Sequence, residues 1–197
     1  MLFRLVEMES GCVEIDGVDI RKIDLKTLRQ AIAVIPQDPM LFSGGLRRNI
    51  DPYDEYTNKE VWTALERVHM SEFVKKLPLE LEFVVDDRGS NLSVGQRQLV
   101  CIARALLQST KIIVMDEATA NIDHETDQFI QQTIRNEFQD RTVLTIAHRL
   151  DTIMDSDMIV VMEEGCVVEM DSPKKLLELQ DGHFSGLVQK TGIEKAQ

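Results

Sequence analysis

Lys111-Ile112-Ile113-Val114-Met115-Asp116-Glu117 is the stretch on which the reading of this chain turns. Four consecutive apolar residues leave no polar face, so the segment reads as a strand buried on both sides, as in a parallel sheet covered by helices. Two carboxylates then stand at its carboxyl end, where open α/β sheets bind ligands. An aspartate there can hold a magnesium ion directly or through water, because Mg²⁺ favours one or two carboxylates together with substrate phosphates. The next residue, Glu117, can orient or deprotonate an attacking water. Taken alone, the same string serves equally well as a core strand ending in a solvated Asp-Glu turn.

Just upstream lies Leu92-Ser93-Val94-Gly95-Gln96-Arg97-Gln98, opening a helical pattern that runs to Leu107. Ser93 is a natural N-cap, and Gly95 lets another backbone or ligand approach closely. A helix N-terminus with free N–H groups and a small hydroxyl is an anion site.

Working outward, short β-branched runs predict strands at 12–15, 33–35, 111–115, 142–146, 158–162 and 166–169. Apolar residues three and four apart predict helices over 25–31, 58–69, 94–107 and 125–138. Strands alternating with helices from Lys111 onward imply right-handed crossovers and a largely parallel sheet, with the strand at 158–162 included. Residues 43–107 are helical with hardly a strand. The organisation is therefore an α/β core (1–42 and 108–197) with a helical insertion between. Met1 to Val6 is apolar and helix-compatible but lacks an N-cap, so the chain is expected to open in mid-helix and stop at Gly11. Ser172-Pro173 starts a tail of two short helices reaching Lys190, with Pro at the first helical position.

Composition removes several classes. A net charge of -12 in 197 residues, with no basic face, argues against nucleic acid. Cys12, Cys101 and Cys166 are odd in number, widely spaced and without a CxxC pair, which speaks for reduced thiols and against a disulfide framework or zinc site. No run approaches the roughly 18 apolar residues of a membrane span. Glu7 and Glu9 interrupt any signal-peptide core.

The string at 92–98 resembles the signature motif of ATP-binding-cassette (ABC) transporters, and its spacing to Asp116-Glu117 fits that family. Other residues match in order. Gln37 resembles the glutamine that reaches metal and water and touches the membrane domain. Asp123 resembles the aspartate that couples two cassettes, and His148 resembles the histidine that senses the γ-phosphate. Phe42 to Pro52, with Glu60-Val61-Trp62, is similar to the C subfamily, the multidrug-resistance-associated exporters. The intact Asp-Glu pair is similar to that subfamily's second cassette. The resemblance implies a P-loop NTPase (RecA-like) core with an inserted helical subdomain, and ATP and Mg²⁺ as cofactors. It implies Glu117, His148 and Gln37 in catalysis, Asp116 and Gln37 toward the metal, and Ser93, Val94, Gly95, Gln96 and Asp123 toward nucleotide across a paired cassette. The implied partners are a second cassette, head to tail, and the transporter's transmembrane domains. The implied location is the cytoplasmic face of a membrane.

One departure stands out: no G-x-x-x-x-G-K-[ST] occurs anywhere in the sequence. The phosphate-binding loop, its lysine, the strand feeding it and part of the N-terminal β-subdomain are therefore expected to be missing. Two expectations result: the chain alone does not bind ATP usefully, and its sheet exposes apolar edges. The enzymatic reading is an ATPase domain powering export. The alternative is a truncated, non-catalytic fragment that only pairs with a partner cassette, its signature capping ATP held by the other domain.

Overall fold

The computed structural model describes residues 1–116, 124–147 and 149–191, with His124 by its backbone alone. They form two compact units, Met1–Ile146 and Ala147–Gln197.

The first unit opens not on a helix but on a turn, closed by the Arg4 N–H on the Met1 carbonyl. Six residues without a cap cannot offset the cost of helix nucleation. Arg4 instead donates to the carbonyls of Ile20 and Ile23. β1 (Glu14–Ile15) and β2 (Val18–Asp19) form a hairpin around Asp16-Gly17, whose φ values of 50° and 76° suit a primed turn. Asp24 accepts from the N–H groups of Lys26 and Thr27 and so starts α1 (Leu25–Gln30), which leads into β3 (Ile32–Ile35).

The insertion follows: β4 (Gly44–Gly45), α2 (Leu46–Ile50), α3 (Asn58–Arg67), α4 (Ser71–Lys75) and β5 (Val84–Val85). It is helical as expected, apart from a short antiparallel β4–β5 ladder that sequence reasoning did not foresee. Thr57 and Glu60 form a capping box on α3. The helix ends before its expected limit because His69 turns left-handed (φ 55°) and the Met70 N–H closes on the Leu65 carbonyl. α5 (Val94–Leu107), β6 (Ile112–Asp116), α6 (His124–Glu137) and β7 (Thr142–Ile146) complete the unit.

β3, β6 and β7 make a parallel sheet with β6 central, Ile35 level with Met115 and Asp116 level with Ile146. β6 is covered on both faces. Ile113 and Met115 enter the main core with Ile35, Val100, Ile102 and Ile130. Ile112 and Val114 pack on a second cluster built on Ile20, Leu28 and Ile32. This double burial explains the uninterrupted apolar run. β7 is an edge strand, and its Leu144 and Ile146 are 48% and 56% exposed.

Three arginines fix α5 by donating to main-chain carbonyls. Arg97 reaches Gly89 and Leu92, Arg104 reaches Asn49, and Arg141 reaches Ala105, Leu106 and Gln108 at the helix's carboxyl end. Cations suit that end, where carbonyls lack intrahelical partners.

In the second unit β8 (Ile159–Glu163) does not join the parallel sheet, contrary to expectation. It pairs antiparallel with β9 (Cys166–Asp171) across Glu164-Gly165, whose φ values of 48° and 81° make a tight hairpin the local solution. The expected tail helices are present as α7 (Pro173–Glu178) and α8 (His183–Thr191). Leu176, Phe184 and Val188 pack on Ile159. Glu169 seats α8, accepting the N–H of His183 at 2.6 Å and of Phe184 at 2.9 Å.

Candidate functional site

The first turn of α5 is closed by a capping box that leaves several donors unpaired. Ser93 takes an extended conformation (φ -64°, ψ 160°) and closes a capping box with Gln96. Its Oγ accepts the Gln96 N–H at 3.1 Å, and Gln96 Oε1 accepts the Ser93 N–H at 2.9 Å. Those bonds use the acceptors and leave the donors. The Ser93 hydroxyl hydrogen, the Gln96 amide nitrogen and the N–H groups of Val94 and Gly95 have no hydrogen-bond partner among the described residues. No acidic residue stands in this turn. The result is a cluster of donors at the positive end of a helix dipole, with Ser93 exposed to solvent.

Gly95 is required here for packing. A Cβ added to it would lie 2.6 Å from Cγ2 of Thr126 on α6, so the first turns of α5 and α6 abut where only glycine fits. Cys101, further along α5, is no nucleophile: burial pushes its thiol above the usual range, and the thiolate is the reactive form.

The sheet contributes the second group. Gln37 follows β3 by two residues and is exposed; Asp116 ends β6 and is half-buried. Parallel register brings both to the carboxyl edge of adjacent strands, the ligand-binding rim of such sheets. Asp116 carries no hydrogen bond or ion pair among the described residues, leaving its oxygens available to a hard cation. No cluster of metal-ligating side chains occurs among the described residues, so a cation here depends on ligands such as phosphate oxygens. Donors for phosphate and a carboxylate for magnesium fit an ATP–Mg²⁺ complex. Glu117, Asp123 and His148 lie outside the described residues. No hydrogen bond or ring contact among the described residues joins the α5 tip to Gln37 or Asp116.

Sequence reasoning missed residues whose work is to hold loops. Asn49 is buried and stitches Phe42 to α2, accepting the Phe42 N–H and donating to the carbonyls of Phe42 and Gly45. Asp51, also buried, accepts the N–H groups of Glu55 and Tyr56. Both lie within the stretch 42–52, so that string has a structural cause. Asn91 accepts the Asp86 N–H and donates to the Val84 carbonyl. Its side chain is therefore engaged within its own loop.

Comparison with known proteins identifies the family. A family model described as ABC transporter matches residues 1–120. The chain is 52% identical to human "ATP-binding cassette sub-family C member 2" over 193 residues, 98% of this chain and 12% of the relative. It is 49% identical to "ABC transporter C family member 1" of Dictyostelium discoideum over 95% of its length and 14% of that protein. Among solved structures, "Structure of a bacterial Atm1-family ABC exporter with ATP bound" superposes with a TM-score of 0.88 at 36% identity, over 100% of this chain and 34% of that one. The chain thus spans about one eighth of the curated relatives it matches. With residues 1–120 under the family model, and with its parallel sheet and capped signature helix in the expected order, the chain belongs to the ABC transporter family.

Proposed function

We propose that this chain serves as a cassette in an ATP-driven exporter, similar to the second cassette of C-subfamily transporters, and that its α5 tip caps ATP held by a partner cassette. The observation that carries the reading is the turn Ser93–Gln96, opened by exposed Ser93, whose acceptors are satisfied internally and whose donors are not. The solved neighbour, described as an exporter with ATP bound, supports nucleotide as the ligand.

In this reading the Ser93 hydroxyl and the N–H groups of Val94 and Gly95 donate to the terminal phosphate, and Gln96 adds its amide. Such donors cost no reorganisation when the ligand arrives. ATP with Mg²⁺, when bound, supplies the phosphoanhydride bond and neutralises phosphate charge. At the pair's other ATP, the one on this cassette's own sheet rim, Asp116 and Gln37 would hold the metal. Glu117 orients the attacking water and takes its proton, and His148 faces the terminal phosphate. Asp123 couples the two cassettes, which pair head to tail beside the transmembrane domains on the cytoplasmic face of a membrane. These 197 residues contain no G-x-x-x-x-G-K-[ST], so the capping role of the tip is tested on a phosphate loop supplied by another cassette.

The test mixes the purified chain with a cassette of the same family that carries its own phosphate loop. ATP hydrolysis by the partner should rise on addition of the chain, and Ser93→Ala should remove about tenfold of that stimulation. Equal stimulation by wild type and Ser93→Ala refutes the reading, as does none by wild type. Titration calorimetry of the chain alone should show no Mg-ATP binding at micromolar concentration.

A further inference from the structure

Resting on that reading, we infer that Arg97 is a positioning residue that sets the Ser93 hydroxyl before any phosphate arrives. Arg97 lies one turn inside α5 and does not belong to the donor cluster. Its Nη1 donates to the Leu92 carbonyl at 2.9 Å and to the Gly89 carbonyl at 3.2 Å. The first bond matters most. The Leu92–Ser93 peptide has its carbonyl held by Arg97 and its N–H held by Gln96 Oε1. Fixing both sides of one peptide plane fixes the entry of the chain into Ser93, and with it the direction of Cβ and Oγ.

The second bond carries the restraint back through the loop. Arg88 and Gly89 both take left-handed φ values, 54° and 71°. Gly89 is also pressed against the arginine, since a Cβ there would lie 2.7 Å from Arg97 Cδ. The Leu92 N–H returns to the Gly89 carbonyl, and Asn91 ties the loop to Val84 and Asp86. The loop 86–92 and the α5 tip are therefore one braced unit, in which Gln96 bonds to Ser93 and Arg97 reaches back from the helix to the carbonyls of Gly89 and Leu92. Both bonds leave the one nitrogen Nη1, whose two N–H directions are fixed in the guanidinium plane, whereas a lysine ammonium turns freely on a flexible stem.

Arg97→Ala and Arg97→Lys separate geometry from charge, since lysine keeps the charge and loses the fixed N–H directions of the guanidinium. In the purified chain, Arg97→Ala should speed amide hydrogen exchange at Leu92, Ser93 and Gln96 by about tenfold or more, with Val100 to Ala105 unchanged. Arg97→Lys should fall between the alanine variant and wild type. In the mixture with the partner cassette, Arg97→Ala should raise the ATP concentration for half-maximal stimulation by roughly tenfold, with the maximal rate less affected. Arg97→Lys should recover part of it. Exchange at Ser93 and Gln96 within twofold of wild type in Arg97→Ala overturns the inference, as does full recovery by lysine. If the alanine variant fails to fold, exchange in Arg97→Lys decides alone: tip amides as slow as wild type overturn the clamp. A wild-type chain that never stimulates the partner defeats the functional reading instead, and the exchange measurement still rules on the clamp.

Discussion

Gly89→Ala should be among the most damaging single-methyl additions in the first unit, for two reasons that add. Gly89 sits at φ +71°, where an L side chain costs about 1–2 kcal/mol. The new Cβ would also meet Arg97 Cδ at 2.7 Å, Cγ at 3.2 Å and Leu41 Cδ1 at 3.2 Å. Arg97 Cδ is not the loose end of a flexible chain, because the guanidinium beyond it is anchored on the Gly89 and Leu92 carbonyls. Moving it aside releases hydrogen bonds from a charged donor, worth about 1.5–3 kcal/mol. The sum is about 2.5–5 kcal/mol, a large share of a typical domain's stability. Trp62 is the single tryptophan and packs against the main core, so urea unfolding followed by its fluorescence reports this unit. The midpoint should fall by roughly 1–2.5 M for an ordinary urea slope. The decisive measurement is the cycle with Arg97→Ala. Without the arginine side chain only the backbone cost remains, so the glycine substitution should then cost about 1–2 kcal/mol. Additive effects, with no coupling near 2 kcal/mol, would show that Gly89 is required by its backbone angle alone and that the contact with Arg97 carries no energy.

Further tests bear on other parts of the chain. The Arg21 guanidinium and backbone N–H bond to Asp19 and lower its pKa from 3.8 to about 2. A depressed carboxylate contributes stability above its unfolded pKa and loses it as pH falls through the folded value, so this contribution fades between about pH 4 and pH 2. Carboxyl NMR should place the midpoint near 2, and Arg21→Ala should return it toward 3.8. Iodoacetamide at pH 8 should alkylate exposed Cys12 and Cys166 quickly and buried Cys101 only on unfolding, by mass spectrometry. Glu169→Ala should destabilise the seating of α8 by about 1–2 kcal/mol, read as faster exchange at His183 and Phe184, with the first unit unaffected.

What could be read in the sequence follows a physical divide. The double burial of β6 was legible, because a strand covered on both faces must be apolar throughout and Ile112 to Met115 is. Ser93 was legible as an N-cap, and the helices at Leu25, Asn58 and Val94 were legible from their spacing. The β8–β9 pairing was not: Met158 to Met162 has the apolar character of the sheet strands, and only the left-handed angles at Glu164 and Gly165 send it into a hairpin. Met1 to Val6 had helical spacing but no cap, and the turn prevailed. The roles of Arg97, Arg104 and Arg141 were illegible for a different reason. Their acceptors are backbone carbonyls, which every residue carries, so no pattern of side chains announces them. Parallel register places Gln37 and Asp116 on one rim, whereas Glu117, Asp123 and His148 stand on motif alone.

The chain's overall charge bears on how its tip recognises phosphate. With a net charge of -12, long-range electrostatics oppose the approach of a polyanion such as ATP bound to a partner. At physiological salt that repulsion is screened beyond about 8 Å, while a hydrogen bond acts at about 2.9 Å. In the proposed function, capture would therefore rest on the Ser93–Gln96 donors, which screening barely weakens. The consequence is opposite in sign to ordinary anion binding by basic surfaces, where added salt always weakens the complex. Raising NaCl from about 50 to 200 mM should leave the ATP concentration for half-maximal stimulation of the partner unchanged within roughly twofold, or lower it slightly as repulsion fades. A loss of affinity of about tenfold over that range would mean that attraction by basic side chains carries the contact. The donor cluster at the tip of α5 would then be a bystander to recognition.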